Sequence, residues 1–279
     1  MRIVVTGSSG LLGRHVAAAL VAAGHDVVGM DRLPPRPEAR WLHVTADATD
    51  FAAALQIVRR CDAVAHIAAI PRPTGRAAEE VFRTNTAAAY NVVEAAVLNG
   101  VKRIVYASSM SVLGYPFFER PVVPHYLPFD SAHPPAPQDA YALSKWLGEE
   151  IVDAAVRRAG LEAVSLRMPW IQTAESFVRD VRPRRVHADL VARDLWGYLD
   201  AEDAAEAFLA AVERPIEGHR RLFISAADTF MEEDTAALVA AAYPGVPLRR
   251  PPVGRETVFD LAEAAAALGW APRRSWRDY

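Results

Sequence analysis

Tyr141 and Lys145 stand four residues apart in Tyr141-Ala142-Leu143-Ser144-Lys145. A spacing of four puts two side chains on one helical face, one turn from each other. The chain has nearly abandoned lysine: 29 of its 31 basic residues are arginine, and the only other lysine is Lys102. Arginine supplies positive charge equally well, but a broad guanidinium does not replace a compact ammonium beside a phenol. A free tyrosine titrates at about 10 and is a poor base at neutral pH. A neighbouring ammonium favours the phenolate, so the pair suits proton exchange with a hydroxyl.

A second set lies at the start of the chain. Thr6-Gly7-Ser8-Ser9-Gly10-Leu11-Leu12-Gly13 follows a β-branched run and opens an amphipathic segment. Glycines there allow a tight turn and close approach of a pyrophosphate to backbone N–H groups at a helix start. Asp31 falls at the end of the next strand-like run. A carboxylate at that place accepts from the adenosine ribose 2′-OH and repels a 2′-phosphate, which favours NAD over NADP. Arg32 and Arg14 are the groups that could accommodate NADP instead.

These residues need a scaffold, and the hydrophobic pattern supplies one. Strands are expected near 2–6, 26–30, 41–45, 62–67, 102–107 and 161–167, with helices near 11–24, 48–60, 75–99 and 138–159. The run Arg103-Ile104-Val105-Tyr106-Ala107 is apolar on both faces, as in a parallel strand covered on each side. The alternation implies an α/β, doubly wound parallel sheet of Rossmann type. After Arg167 the regularity breaks into a proline- and arginine-rich stretch (168–186), then a helix near 201–213, a strand near 221–225 and helices near 231–243 and 257–268. The expected division is a dinucleotide-binding domain over 1–170 and a small C-terminal substrate lobe over 171–279. Segments near 195–226 would return to the first domain. Residues 114–137 hold seven prolines and five aromatics in one connection. So long a loop in a compact domain is a candidate lid or binding loop, here between the fifth strand and the Tyr141 helix.

The Gly-x-x-Gly-x-x-Gly spacing, taken with Tyr141-x-x-x-Lys145, resembles the extended short-chain dehydrogenase/reductase superfamily, often called the NAD-dependent epimerase/dehydratase family. The resemblance runs through most of 1–170 and becomes looser beyond. It includes Asp47, similar to an adenine-contacting aspartate, and His66-Ile67-Ala68-Ala69. Asn85 on the third helix and Ser108-Ser109 at the end of strand five also match. The resemblance implies that Ser109, Tyr141 and Lys145 are catalytic. Ser109 would position the substrate oxygen, Tyr141 would exchange its proton and Lys145 would hold the nicotinamide ribose. It implies cofactor contacts at Gly7, Ser9, Gly10, Leu11, Leu12, Gly13, Asp31, Arg32, Asp47, Ala48, His66, Ala68, Ala69, Asn85, Ala107, Tyr141, Lys145 and Pro169. Other readings stand beside these. His66 suits a hydrogen-bonded structural histidine, Ser108 a structural serine, and Asp47 a helix N-cap. The family often dimerises through a four-helix bundle, here made from the 75–99 and 138–159 helices.

The substrate side departs from nucleotide-sugar members of that family. Trp170 occupies the place of a sugar-nucleotide-binding asparagine, Leu113 that of a tyrosine, and Met110 that of the dehydratase acid. With a short lobe, this favours a small substrate with apolar walls from Met110, Phe118 and Trp170. A free sugar, a sugar acid or another secondary alcohol would fit. Arg179, Arg182, Arg184, Arg185 and Arg193 could bind a phosphate or carboxylate, and Arg185 is the expected substrate contact among them. Hydride transfer at a secondary alcohol or ketone carbon is the expected reaction. The alternatives are a nucleotide-sugar epimerase with tightly held NAD and, from another class, a non-catalytic NAD-binding sensor.

Composition excludes other classes. A net charge of −3 gives no general attraction to nucleic acid or anionic membranes. The single cysteine, Cys61, removes an intrachain disulfide framework and any cysteine-rich metal site, and no metal is expected. No apolar run is long enough to span a bilayer and no signal peptide is visible, so a cytoplasmic location is expected.

Overall fold

The computed structural model describes residues 1–279. Its strands are β1 (Arg2–Thr6), β2 (Asp26–Asp31), β3 (Leu42–Thr45), β4 (Ala63–His66), β5 (Arg103–Ser109), β6 (Glu162–Met168), β7 (Trp170–Gln172), β8 (Tyr198–Asp200) and β9 (His219–Phe223). Seven of them form one sheet in the order β3-β2-β1-β4-β5-β6-β9, parallel throughout. The order reverses direction between β1 and β4, and in open α/β sheets that switch point is where a crevice opens outside the strand carboxyl ends.

Alternation along the strands explains the layers. Ile3 and Val5 of β1 join a core with Val16, Leu20 and Phe208, whereas Val4 joins Val64, Ile104, Val92 and Val152 on the opposite face. The first layer therefore holds helices α1 (Leu11–Ala22) and, later in the chain, Ala201–Glu213. The second holds α2 (Phe51–Ile57), α3 (Ala78–Leu98) and α4 (Ala140–Ala159). Asp139 starts α4: its Oδ1 accepts from the N–H groups of Tyr141 at 2.8 Å and Ala142 at 2.9 Å. Gly160, at φ +66°, ends it in the left-handed region that glycine adopts without strain.

Beyond β6 the chain makes the turn α5 (Ala174–Ser176), a π turn at Phe177–Val181, a 3₁₀ turn at Arg182–Val186 and α6 (Ala188–Val191). The helices α7 (Ala201–Glu213), α8 (Thr235–Ala242) and α9 (Ala262–Leu268) follow. β9 returns to the main sheet beside β6. A third core, rich in aromatics, joins Tyr115 and Phe129 of the proline-rich loop to Phe177, Trp196, Phe259 and Trp276.

Several elements differ from the sequence expectation. β7 and β8 form a separate two-stranded sheet where no strands were expected, because three residues are too few to show a period of two. α8 starts at Thr235, where Asp234 caps it, and α9 starts at Ala262. α2 is capped by Asp50, which accepts from Ala52 and Ala53. That corrects the N-cap reading of Asp47, whose Oδ1 instead accepts from the N–H and hydroxyl of Thr49, both at 2.8 Å.

Candidate functional site

The carboxyl ends of β1, β2, β4 and β5 bring the candidate residues to one edge of the sheet. Gly7 lies at φ +73°, and a Cβ there would come within 2.8 Å of the Ala68 nitrogen. A Cβ on Gly13 would overlap the Gly7 carbonyl. Both glycines are thus required for the turn to fold between α1 and β4. Gly10 is the N-cap of α1 and makes no side-chain cap bond, so the first N–H groups of the helix face outward without a protein side chain across them. Asp31 accepts from Ser9 N–H at 3.0 Å and from Leu33 N–H at 2.9 Å, which holds the carboxylate against the glycine turn. Arg32 lies 3.6 Å from Asp47; Arg32 is exposed and Asp47 half-buried. Leu12, Ser9 and Ala48 are buried, and Leu11 is half-buried. An uncapped helix start, a glycine cradle and an acidic residue beside it fit a dinucleotide.

Tyr141, Lys145 and Ser109 converge at the end of β5. Lys145 Nζ donates to the Ala107 carbonyl at 2.7 Å and sits 5.8 Å from the Tyr141 ring centre. Its other flank is Tyr106, 5.2 Å from the ring centre, which reaches under α4 because Gly148 has no side chain to block it. Burial lowers the Lys145 ammonium to about 8. Burial raises the Tyr141 phenol to about 12; the Ser109 hydroxyl opposes that rise and the Asp139 carboxylate adds to it. Ser109 Oγ also accepts from Ser111 N–H at 3.1 Å. Ser108 points the other way and donates to Glu149 Oε1 at 2.6 Å. Strand alternation thus separates the two serines.

The remaining matched residues act mostly as braces. Thr6 Oγ1 accepts from Ile67 N–H at 3.0 Å and Ala68 N–H at 3.1 Å, so its own proton goes to His66 Nδ1 at 2.8 Å. This leaves the His66 ring proton on Nε2. Burial, and then the Lys145 charge, lowers His66 to about 3, which favours the neutral ring. Asn85 spends its amide on Ile70 N–H at 2.8 Å, Ile70 O at 3.1 Å and Ser144 Oγ at 3.1 Å, tying the loop after β4 to α4. Glu149, one turn beyond Lys145, is fully buried and bound bidentately by Arg167 at 2.9 and 2.7 Å. Neither Glu149 nor Arg167 was expected from the sequence as a site residue, although Glu149 continues the Tyr141–Lys145 spacing by one further turn.

On the substrate side, Met110 is buried in the aromatic core and Trp170 is half-buried with the Arg184 guanidinium 5.3 Å from its ring. Pro169 is buried between the two sheets. Phe118 packs on Tyr115 at 5.9 Å and under Arg193 at 4.5 Å. The ring against Tyr141 is its neighbour Phe117, edge-on at 6.5 Å. Arg185 is drawn away from the site: it pairs with Glu232 at 2.9 Å and stacks on Trp276 at 3.7 Å. Arg179 pairs with Asp180 at 2.7 Å.

A phosphate-binding turn and a tyrosine–lysine pair at the switch point of a doubly wound sheet define a Rossmann-type enzyme of the nicotinamide-dependent oxidoreductase and epimerase class. The NAD dependent epimerase/dehydratase family model matches residues 3–224, and the chain belongs to that family. It is 32% identical over 217 residues to L-arabinose 1-dehydrogenase (NAD(P)(+)) of Haloferax volcanii, covering 76% of this chain and 82% of that one. Uronate dehydrogenase of Pseudomonas putida is 31% identical over 170 residues, 60% of each chain. A short-chain dehydrogenase/reductase superfamily protein from Agrobacterium tumefaciens, solved with bound NAD, superposes with a TM-score of 0.75 at 26% identity. That superposition covers 99% of this chain and 94% of the other.

Proposed function

We propose that this protein is an NAD-dependent dehydrogenase of a small sugar or sugar acid, acting at a secondary alcohol or ketone carbon. The observation that carries the reading is the convergence of Tyr141, Lys145 and Ser109 at the end of β5. The similarity to an arabinose and a uronate dehydrogenase supports the substrate class. Residues 171–279, apart from α7 and β9, would form the substrate lobe.

The glycine turn and the start of α1 would hold the pyrophosphate, Asp31 the adenosine ribose, and Lys145 the nicotinamide ribose. NAD, when bound, supplies the hydride acceptor and a positive charge near the phenol. Ser109 orients the substrate hydroxyl toward Tyr141. Tyr141 takes its proton as the carbinol carbon becomes a carbonyl, and the Lys145 ammonium stabilises the phenolate that precedes this transfer. Tyr141→Phe is expected to lower turnover by roughly 10²–10⁴-fold while NAD binding, followed by fluorescence titration, persists. Unchanged turnover would contradict the assignment.

Membership of the family also supports a second reading, an epimerase that reoxidises its own cofactor. That reading expects a change of stereochemistry without accumulation of reduced nicotinamide. We further propose a homodimer through α3 and α4, on whose outer faces Tyr90, Leu98 and Leu143 are exposed. Light scattering should give twice the chain mass. We place the enzyme in the cytoplasm, where a diffusible NAD pool is at hand. No helix is long and apolar enough to cross a membrane.

A further inference from the structure

Phe117 occupies an unusual position between two anchors. On one side Tyr115 is fully buried: its hydroxyl donates to Val122 O at 2.7 Å, and its ring packs on Phe129 at 6.0 Å and Tyr243 at 6.2 Å. On the other, Phe118 is clasped by Arg193, which lies over its ring and donates to its carbonyl at 3.0 Å. Gln138, just before α4, fastens the next turn by accepting from Arg120 N–H at 3.0 Å and donating to its carbonyl at 2.9 Å. The segment around Phe117 is therefore held from the lobe and from α4 at once.

Its ring lies edge-on to Tyr141, interplanar angle 86°. With Ile70, Val81 and Ala140 it forms a small apolar cluster around the tyrosine. Tyr141 is left only 9% exposed, and Ser109, beside its phenol, 8%. An apolar ring fixed on one flank of a buried phenol does two things. It keeps water from that flank, and it takes space that a substituent on the reacting carbon would need.

We propose that Phe117 is a specificity-determining residue of this site: its ring closes the flank of Tyr141 to water and limits the substituent that fits beside the reacting carbinol. The size limit rests on Tyr141 as the proton-exchanging group; the closure to water does not. The ligand is the small sugar or sugar acid already proposed, with the bulk next to its carbinol carbon set by this ring.

The test uses Phe117→Leu and Phe117→Asn, similar to each other in size, with Phe117→Ala for the space filled. Thermal unfolding of all three checks that they fold. Tyrosinate absorbance is titrated for each protein and for its Tyr141→Phe counterpart, so that the difference reads one phenol. Asn and Ala are expected to bring the Tyr141 midpoint down from about 12, by about one pH unit, as water reaches the phenolate. Leu is expected to leave it near the parent value. With NAD, L-arabinose and galacturonate as probes, Ala is expected to change the ratio of kcat/KM between the two sugars by about tenfold. An unmoved midpoint in both Asn and Ala overturns the closure, and an unmoved ratio overturns the size limit. If neither sugar is turned over by the parent, the proposed function fails on that count, and the titration still decides the role of Phe117.

Discussion

Lys145 carries two opposed demands. Its ammonium must be charged to stabilise a neighbouring phenolate, yet only 4% of the residue is exposed and the Ala107 carbonyl is its one hydrogen-bond acceptor in the protein. Burial depresses it from 10.5 to about 8. A group whose folded value lies below its unfolded value favours unfolding while charged, fully below about pH 8 and progressively less up to 10.5. Lys145→Met is therefore expected to abolish turnover but to raise the thermal unfolding midpoint at pH 7, with the gain fading toward pH 10.5. A lowered midpoint at pH 7 would contradict this account of the site. The residue was legible in the sequence through its rarity and its spacing from Tyr141. Phe117 was not, since two adjacent phenylalanines in a proline-rich loop give no sign of which faces the site.

At the scale of elements, α4 is the positioning device. Asp139 sets where it starts, Lys145 reaches the Ala107 carbonyl, and Glu149 meets Ser108 and Arg167. One stripe of the helix thus reads consecutive residues of β5. The Glu149–Arg167 pair is almost wholly buried. Arg221 Nε lies 3.1 Å from Glu149 Oε2 and keeps part of the compensation, so Arg167→Met is expected to cost about 3 kcal/mol of unfolding free energy, the low end for breaking a buried pair. The double substitution Glu149→Leu with Arg167→Met is expected to recover most of that loss. Denaturant titration distinguishes the two; equal loss in single and double variants would show that the pair is not the coupled unit. The glycine turn, α1 and the first six strands could be read because short apolar runs, turn residues and amphipathic helical segments follow one another along the chain. β7, β8 and the turns between Ala174 and Val191 could not, being short elements set by packing on Trp196, Tyr198 and Trp276.

Across the whole molecule, three histidines in different regions are buried in the neutral form. Burial lowers His66 to about 3 and His133 and His219 to about 4, all from 6.5. They belong respectively to β4, the proline-rich loop and β9. The unfolded chain takes up these protons as pH falls below about 6.5, whereas the folded chain resists until about 4 or 3. Unfolding free energy is expected to decline steadily over that window, and a flat profile there would contradict the burial described.

The central claim is hydride transfer with net turnover at a carbinol carbon. The most direct measurement mixes the purified protein with NAD and either L-arabinose or a uronate, and follows reduced-nicotinamide absorbance and product identity together. One reduced cofactor is expected per sugar oxidised, and none in Tyr141→Phe. A stereoisomer formed with no reduced cofactor, or full turnover in Tyr141→Phe, would contradict it.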